Sequence, residues 1–196
     1  MDRRAVVARL LADRGETLLV TGLGASTWDA TAAGDDARNF YLWGGMGGAL
    51  ATGLGLALAQ PRRRVLVLTG DGEMLMGVGS LATVAVQKPR NLAVVVLDNE
   101  RYGETGGQVT HTAHGVDLAS MAIAAGFPSA YQVADRQGLD DVIGPVFREP
   151  GPLMVVIKVA PEQAPLVAPP RDGALLKDRF RGSLDVTRAA RRGKTG

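Results

Sequence analysis

Asp71 and Asn99 are the side chains of this sequence best suited to hold a cation together. Each directly follows an apolar run, VLVLTG before Asp71 and LAVVVLD before Asn99, and they stand 28 positions apart (99 − 71). A strand, a helix and a second parallel strand occupy about this length, roughly 30 residues for a βαβ unit, so the spacing returns Asn99 to the sheet edge that Asp71 leaves. An Asp carboxylate, an Asn side-chain carbonyl and a free backbone carbonyl suit a hard cation such as Mg²⁺, which normally keeps phosphate oxygens as further ligands. Gly72 lets the chain turn tightly, and the amides of Gly72 and Glu73 that open the next helix attract anions. The chemistry these residues fit is the binding of a metal-bound diphosphate.

Other stretches could approach a ligand. Trp43-Gly44-Gly45-Met46-Gly47-Gly48 precedes a small-residue helix, ALATGLGLALA. Glycine at this density needs a cause, because Gly inside a helix costs about 0.5–1 kcal/mol relative to Ala. Close approach of backbone to something flat or bulky supplies one, with Met46 filling either a ligand site or the core. Gly22-Leu23-Gly24-Ala25-Ser26-Thr27 ends the first strand, where ligands of open parallel sheets bind; a turn in which Ser26 or Thr27 caps a helix fits equally well. Residues 100–115 (ERYGETGGQVTHTAHG) hold four glycines and no apolar periodicity, and a polar loop of this length in a compact domain is more often functional than structural. It carries Glu104, His111 and His114 as acid–base candidates, although a His in a polar loop is as commonly a solvated surface group.

The elements that must position these residues alternate along the chain. Residues 3–14 place Val6, Val7, Leu10 and Leu11 on one helical face, and Gly15 ends that helix. Strands are expected at 16–21, 40–43, 65–69, 92–97, 130–134 and 152–159, and helices at 49–59, 74–87, 117–126 and 137–148. Wholly apolar strands are those covered on both faces. The alternation therefore predicts α/β architecture, a doubly wound, mostly parallel sheet with helices on both faces. This domain is expected over 1–160, and a proline-rich exit, a short helix at 173–182 and a basic tail over 161–196. The tail carries eight Lys or Arg against three Asp from Arg171 onward, with Phe180 its only aromatic and no reading motif, so nucleic acid is not an expected partner. The absence of Cys removes disulfides, a Cys-ligated zinc site and in-chain iron–sulfur clusters. No apolar run approaches the roughly 18 residues of a membrane span, and the N-terminus reads as an amphipathic charged helix rather than a signal peptide. A cytoplasmic protein without membrane contact is expected.

Gly70-Asp71-Gly72 followed by Asn99 resembles the signature of thiamine diphosphate (ThDP) enzymes, and Gly44-x-Met46-Gly47 resembles their G-x-[MIL]-G turn. The resemblance implies ThDP and Mg²⁺ as cofactors, with Asp71, Asn99 and the backbone carbonyl of Arg101 as metal ligands. It also implies that the Gly44 carbonyl accepts from the cofactor's 4′-amino group and that Met46 wedges between its rings. Gly45, Gly70, Gly72, Glu73, Tyr102 and Gly103 complete the expected cofactor contacts. Phe40-Tyr41, Leu68 to Gly72, Leu97 to Asn99 and Thr105 to Gln108 extend the likeness over nearly the whole chain, which is similar to sulfopyruvate decarboxylase β subunits and to the C-terminal half of phosphonopyruvate decarboxylases. The implied activity is non-oxidative decarboxylation of a small 2-oxoacid to an aldehyde, with carboligation of the acetohydroxyacid or acyloin synthase type as the alternative. Glu104, Gln108 and His111 are then the expected catalytic residues, Gln108 and Thr105 being neutral donors toward a substrate carboxylate. One departure bears on the substrate: such relatives often carry a Ser-Arg-Glu sequence where this chain has Ser26-Thr27-Trp28-Asp29. Arg101 and Arg38 remain as basic residues near the sheet edge. The Glu that activates the cofactor's pyrimidine ring in these enzymes belongs to a separate domain. The resemblance thus implies a pyrimidine-binding α subunit as partner, in an α₂β₂ or larger assembly with the active site between the two.

Overall fold

The computed structural model describes residues 1–42, 44–161 and 164–192, the side chains of 185–192 excepted. Trp43 and the basic tail's Lys194 lie outside the described residues. Six strands form one sheet: β1 (Leu18–Thr21), β2 (Asn39–Tyr41), β3 (Val65–Gly70), β4 (Leu92–Asp98), β7 (Ser129–Val133) and β8 (Leu153–Lys158), in the order β2-β1-β3-β4-β8-β7. Every neighbouring pair is parallel. All seven residues of β4 are buried, as an apolar strand covered on both faces must be.

Alternate side chains of the strands feed two cores. Leu19, Leu66, Leu68, Val95 and Val155 pack with Val6, Val7 and Leu10 of α1 (Arg3–Ala12), Ala30 of α2 (Ala25–Ala33) and Val142 of α7 (Arg136–Arg148). Val20, Val67, Val94, Val96 and Met154 face the other way, toward Leu50 of α3 (Ala49–Ala59), Val84 of α5 (Ser80–Gln87) and Ala122 of α6 (Leu118–Ala125). The chain thus leaves β1 over one face and β3 over the other, which opens a crevice at their carboxyl ends. Helix starts are fixed locally. Asp2, Asp117 and Asp135 cap α1, α6 and α7, each side chain accepting from a backbone N–H three residues on.

The C-terminal helix α8 (Gly173–Arg192) is longer than the expected 173–182. It closes the open edge at β2, sending Leu176 into the first core and Phe180 into the second. The Phe180 ring meets Phe40 edge-on with centroids 5.3 Å apart, and Arg179 clasps Asp35 with bonds of 2.6 and 2.9 Å. Covering an edge strand in this way removes a template for unwanted pairing. Among the described residues no helix is long and apolar enough to cross a membrane.

Three local expectations need correction. The helix expected over 74–87 is two helices, α4 (Asp71–Met76) and α5, parted at Gly77–Gly79. Gly77 packs so tightly on the Gly47 carbonyl that a Cβ there would overlap it, and a continuous helix would not allow that approach. Ser26 and Thr27 are not caps. They lie inside α2, whose N-cap is Gly24, and both hydroxyls donate back to the Gly22 carbonyl, at 3.1 and 2.7 Å. Finally, the polar loop after Asn99 contains an antiparallel hairpin, β5 (Arg101–Tyr102) with β6 (Gln108–Val109), followed by a 3₁₀ turn at His111–His114.

Candidate active site

A cavity of about 400 Å³ opens at the carboxyl ends of β1, β3 and β4. Register explains why Asp71 and Asn99 meet there. Gly70 pairs with Leu97, so Asp71 leaves its strand level with Asp98, the last residue of β4, and Asn99 follows directly. Both Asp71 and Asn99 line the cavity, as do Gly70, Gly72, Glu73 and Met46.

Asp71 is 2% exposed, and two hydroxyls stand against its Oδ2: Thr110 Oγ1 donates at 2.5 Å, and Thr112 Oγ1, 3.1 Å away, shares its single proton between this oxygen and Asp98 Oδ1. Burial pushes its carboxyl above the ordinary range, with the neighbouring Asp98 charge acting in the same direction against the two hydroxyl bonds. Asp98 is already paired, with Lys158 Nζ 2.8 Å from Oδ2 and Thr112 Oγ1 2.8 Å from Oδ1. Of the two buried carboxylates, Asp71 is therefore the one whose charge calls for a cation. Asn99 Oδ1 accepts from the Arg101 backbone N–H at 3.0 Å, closing a turn in which Glu100 has φ 60°. That turn folds the β5–β6 hairpin back over the glycine turn. The Tyr102 ring then lies on Gly72 so closely that any Cβ at 72 would strike it.

The second glycine cluster has a structural cause in part. Gly47, at φ 83°, abuts the backbone of Met76 and Gly77. Glu73, 5% exposed, braces this loop from below. Its Oε1 accepts from the Ala49 N–H at 3.1 Å, at the start of α3, where the N-cap residue Gly48 offers no side chain. Its Oε2 accepts a short bond from Thr69 Oγ1. Glu73 was expected among the cofactor contacts; it lines the cavity, but its carboxylate is committed to holding the loop that carries Met46. Gly44 and Gly45 precede Met46 outside the cavity wall.

The expected catalytic residues part company. Glu104 lines the cavity beside Arg101, Tyr102, Gly103 and Thr105, and its side chain rests against Gly24 at the start of α2. Gln108 is exposed and turned onto its own hairpin, accepting from Thr105 Oγ1 at 2.9 Å and donating to the Thr105 carbonyl at 2.8 Å. His111 is exposed, with Nδ1 3.5 Å from the Tyr102 hydroxyl. Neither is part of the cavity wall. Arg38 is bound to Asp36, Glu16 and the Gly15 carbonyl beside the amino end of β2, away from the crevice. Residues missed in the sequence are Thr110 and Thr112, and Arg3, which reaches the cavity wall from α1 and pairs with the fully buried Asp29 at 2.6 Å. Asp29 in the departing Ser26-Thr27-Trp28-Asp29 stretch was the available signal, since a buried carboxylate needs a partner.

The residues present fit a metal-bound diphosphate. The Asp71 carboxylate, bonded by no cation among the described residues, an Asn carbonyl at the adjoining strand end and a backbone turn make an oxygen donor set that leaves ligand positions for phosphate. Among the described residues no three His, Cys, Asp or Glu side chains converge as a self-sufficient metal site, as expected where phosphate completes the shell. The thiamine pyrophosphate enzyme C-terminal TPP-binding domain model matches residues 24–157. Sulfopyruvate decarboxylase subunit beta of Methanothermobacter thermautotrophicus is 39% identical over 150 residues, covering 75% of this chain and 80% of that one. Phosphonopyruvate decarboxylase of Streptomyces viridochromogenes is 38% identical over 81% of this chain, which spans only 40% of that protein. In fold, the chain is similar to the thiamine diphosphate-dependent 4-hydroxybenzoylformate decarboxylase of Rhodococcus jostii, with a TM-score of 0.67 at 21% identity over 84% of this chain and 33% of that one. With the glycine turn, the paired strand ends and the matched domain in agreement, the chain belongs to the thiamine pyrophosphate enzymes and carries their C-terminal TPP-binding domain.

Proposed function

We propose that this chain is the diphosphate-binding subunit of a ThDP- and Mg²⁺-dependent decarboxylase acting on a small 2-oxoacid. The observation that carries the reading is Asp71, a buried carboxylate bonded by hydroxyls and by no cation among the described residues, beside Asn99 in the wall of a cavity large enough for a ligand. Asp71, Asn99 and the Arg101 carbonyl would hold Mg²⁺, and the glycine turn at 70–72 would bring backbone against the diphosphate. Met46, on its braced loop, would set the angle between the two rings, the Gly44 carbonyl orienting the aminopyrimidine. The cofactor, when bound, supplies the sink for the electron pair left as carbon dioxide departs. Glu104, the one expected acid–base residue in the cavity wall, delivers the proton that takes the place of the carboxylate on the substrate carbon.

The names of the similar proteins support two finer assignments. A subunit beta implies a second subunit, so we place the pyrimidine-activating Glu on a partner α subunit facing this cavity. Sulfopyruvate and phosphonopyruvate carry anionic tails, and Arg101 in the wall supplies positive charge on this side, the charge of Arg3 being matched by Asp29. The test is to purify the chain alone and with a similarly sized α/β subunit encoded beside it, then measure mass and carbon dioxide release from pyruvate, sulfopyruvate, phosphonopyruvate and arylpyruvates. Release only by the complex, with preference for an anionic tail and loss in Asp71→Ala, is the expected result. Robust turnover by the chain alone would refute the shared site. Preference for an aryl tail would refute the anionic reading, and product formed only with an added acceptor aldehyde would make the enzyme a ligase.

A further inference from the structure

The hydroxyls that hold Asp71 do more than satisfy a buried carboxylate. Thr110 is fully buried and Thr112 is 6% exposed, and both approach the same oxygen, Oδ2. A carboxylate ligand free to rotate must be ordered when the metal arrives, and that ordering costs affinity; one whose Oδ2 is held by the Thr110 hydroxyl and flanked by Thr112, which bridges it to Asp98, offers the other oxygen, Oδ1, in a fixed direction. The two hydroxyl oxygens also stand 2.9 Å apart, so neither turns independently of the other. Thr112 extends the arrangement to Asp98 and thereby to Lys158, which neutralises the second carboxylate and leaves the first for the cation. The backbone of Thr110 also anchors the hairpin, its N–H donating to the Glu100 carbonyl at 3.1 Å.

We propose that Thr110 and Thr112 are the positioning residues of the metal site: their hydroxyls present Asp71 to Mg²⁺ and clip the Arg101–Val109 hairpin, with Glu104, to that ligand. The inference rests on the reading of Asp71 as a metal ligand. Removal of either hydroxyl then weakens the metal while leaving ThDP binding intact once metal is saturating. Outer-sphere partners of metal ligands are typically worth about 10–100-fold in affinity, and the lower figure is expected for one of two donors.

The test uses the full chain, with its partner subunit where one co-purifies, at saturating ThDP. Mn²⁺ is titrated as a spectroscopically visible stand-in for Mg²⁺, and free Mn²⁺ is read by electron paramagnetic resonance. Thr112→Val and Thr110→Val should each raise the Mn²⁺ dissociation constant about ten-fold, with a modest fall in the metal-free unfolding temperature, since each leaves a buried carboxylate with one partner fewer. Thr112→Ser, which keeps the hydroxyl, should bind as the parent does. A Val variant with the parental constant, or a Ser variant as weak as Val, overturns the assignment; should a Val variant not fold, Thr112→Ala is read by the same criterion. A parent chain that binds no Mn²⁺ saturably, alone or with its partner, would instead remove the metal site itself, and the role with it.

Discussion

Truncating Glu73 tests whether the Met46 loop is held from below by this side chain. Glu73→Ala removes the acceptor of the Ala49 N–H at 3.1 Å and the partner of Thr69 Oγ1. Both donors are buried, since Ala49 and Thr69 are each 1% exposed. A buried donor left without a partner costs about 1–3 kcal/mol, and for the Ala49 N–H that loss is the loss of the α3 cap, itself worth about 0.5–2 kcal/mol. The desolvation of the carboxylate itself is relieved, so the net loss should be about 2–4 kcal/mol. For a chain of this size that corresponds to a fall of roughly 5–15 °C in the unfolding midpoint. Glu73→Gln keeps a carbonyl for Ala49 and an amide for Thr69, and should cost about 1 kcal/mol or less. The function should follow the same order. On the proposed reading, a loop displaced by about 1 Å misplaces Met46 and costs up to about 100-fold in kcat, while a diphosphate anchored at Asp71 keeps its affinity. Thermal unfolding by circular dichroism, ThDP calorimetry and kcat for the three proteins check this. An Ala variant within about 0.5 kcal/mol of the parent, or a Gln variant as damaged as Ala, would refute the brace.

Two further outcomes follow from the same geometry. If Met46 sets the ring geometry as proposed, Met46→Ala should bind Mg²⁺ and ThDP as the parent does yet lose most of kcat, because the proposed anchor lies at Asp71; calorimetry paired with steady-state rates decides it, and a normal kcat contradicts the role. The clasp on α8 should be acid-labile. Burial raises the Asp35 carboxyl, but the bonds from Arg179 and Tyr41 outweigh it and hold it below its ordinary value of 3.8; the bond from Arg38 holds Asp36 lower still. A carboxylate depressed in the folded state stabilises it above the ordinary value, and that contribution fades as pH falls through the folded value. Arg179→Ala should therefore lose about 1 kcal/mol near neutral pH, reduced by the partial exposure of the pair, and less near pH 3. Urea midpoints across that range showing an equal loss at both ends would rule the clasp out.

Which parts of this site a sequence discloses depends on how far along the chain the cause lies. Asp71 and Asn99 are legible because both follow apolar strands and one crossover fixes their separation, so local pattern and register carry the whole inference. Helix α5 is not legible as a separate element, because the break at Gly77 answers to Gly47, 30 residues earlier (77 − 47), and apolar periodicity continues through it. Arg3 meets Asp29 across 26 residues, and Thr112 meets Asp71 across 41; in each case residue type allows many partners and only the fold selects one. Arg38 shows the converse error, since a basic residue near a strand in sequence sits at whichever end of that strand the chain enters. The separation extends to chemistry. Residues that would touch the cofactor, such as Met46 and Asp71, stand in short motifs because a ligand demands their identities at fixed spacing. Residues that hold those in place, Glu73, Thr110 and Thr112, answer only to the surrounding packing, so their identities become meaningful once the atoms they bond are known.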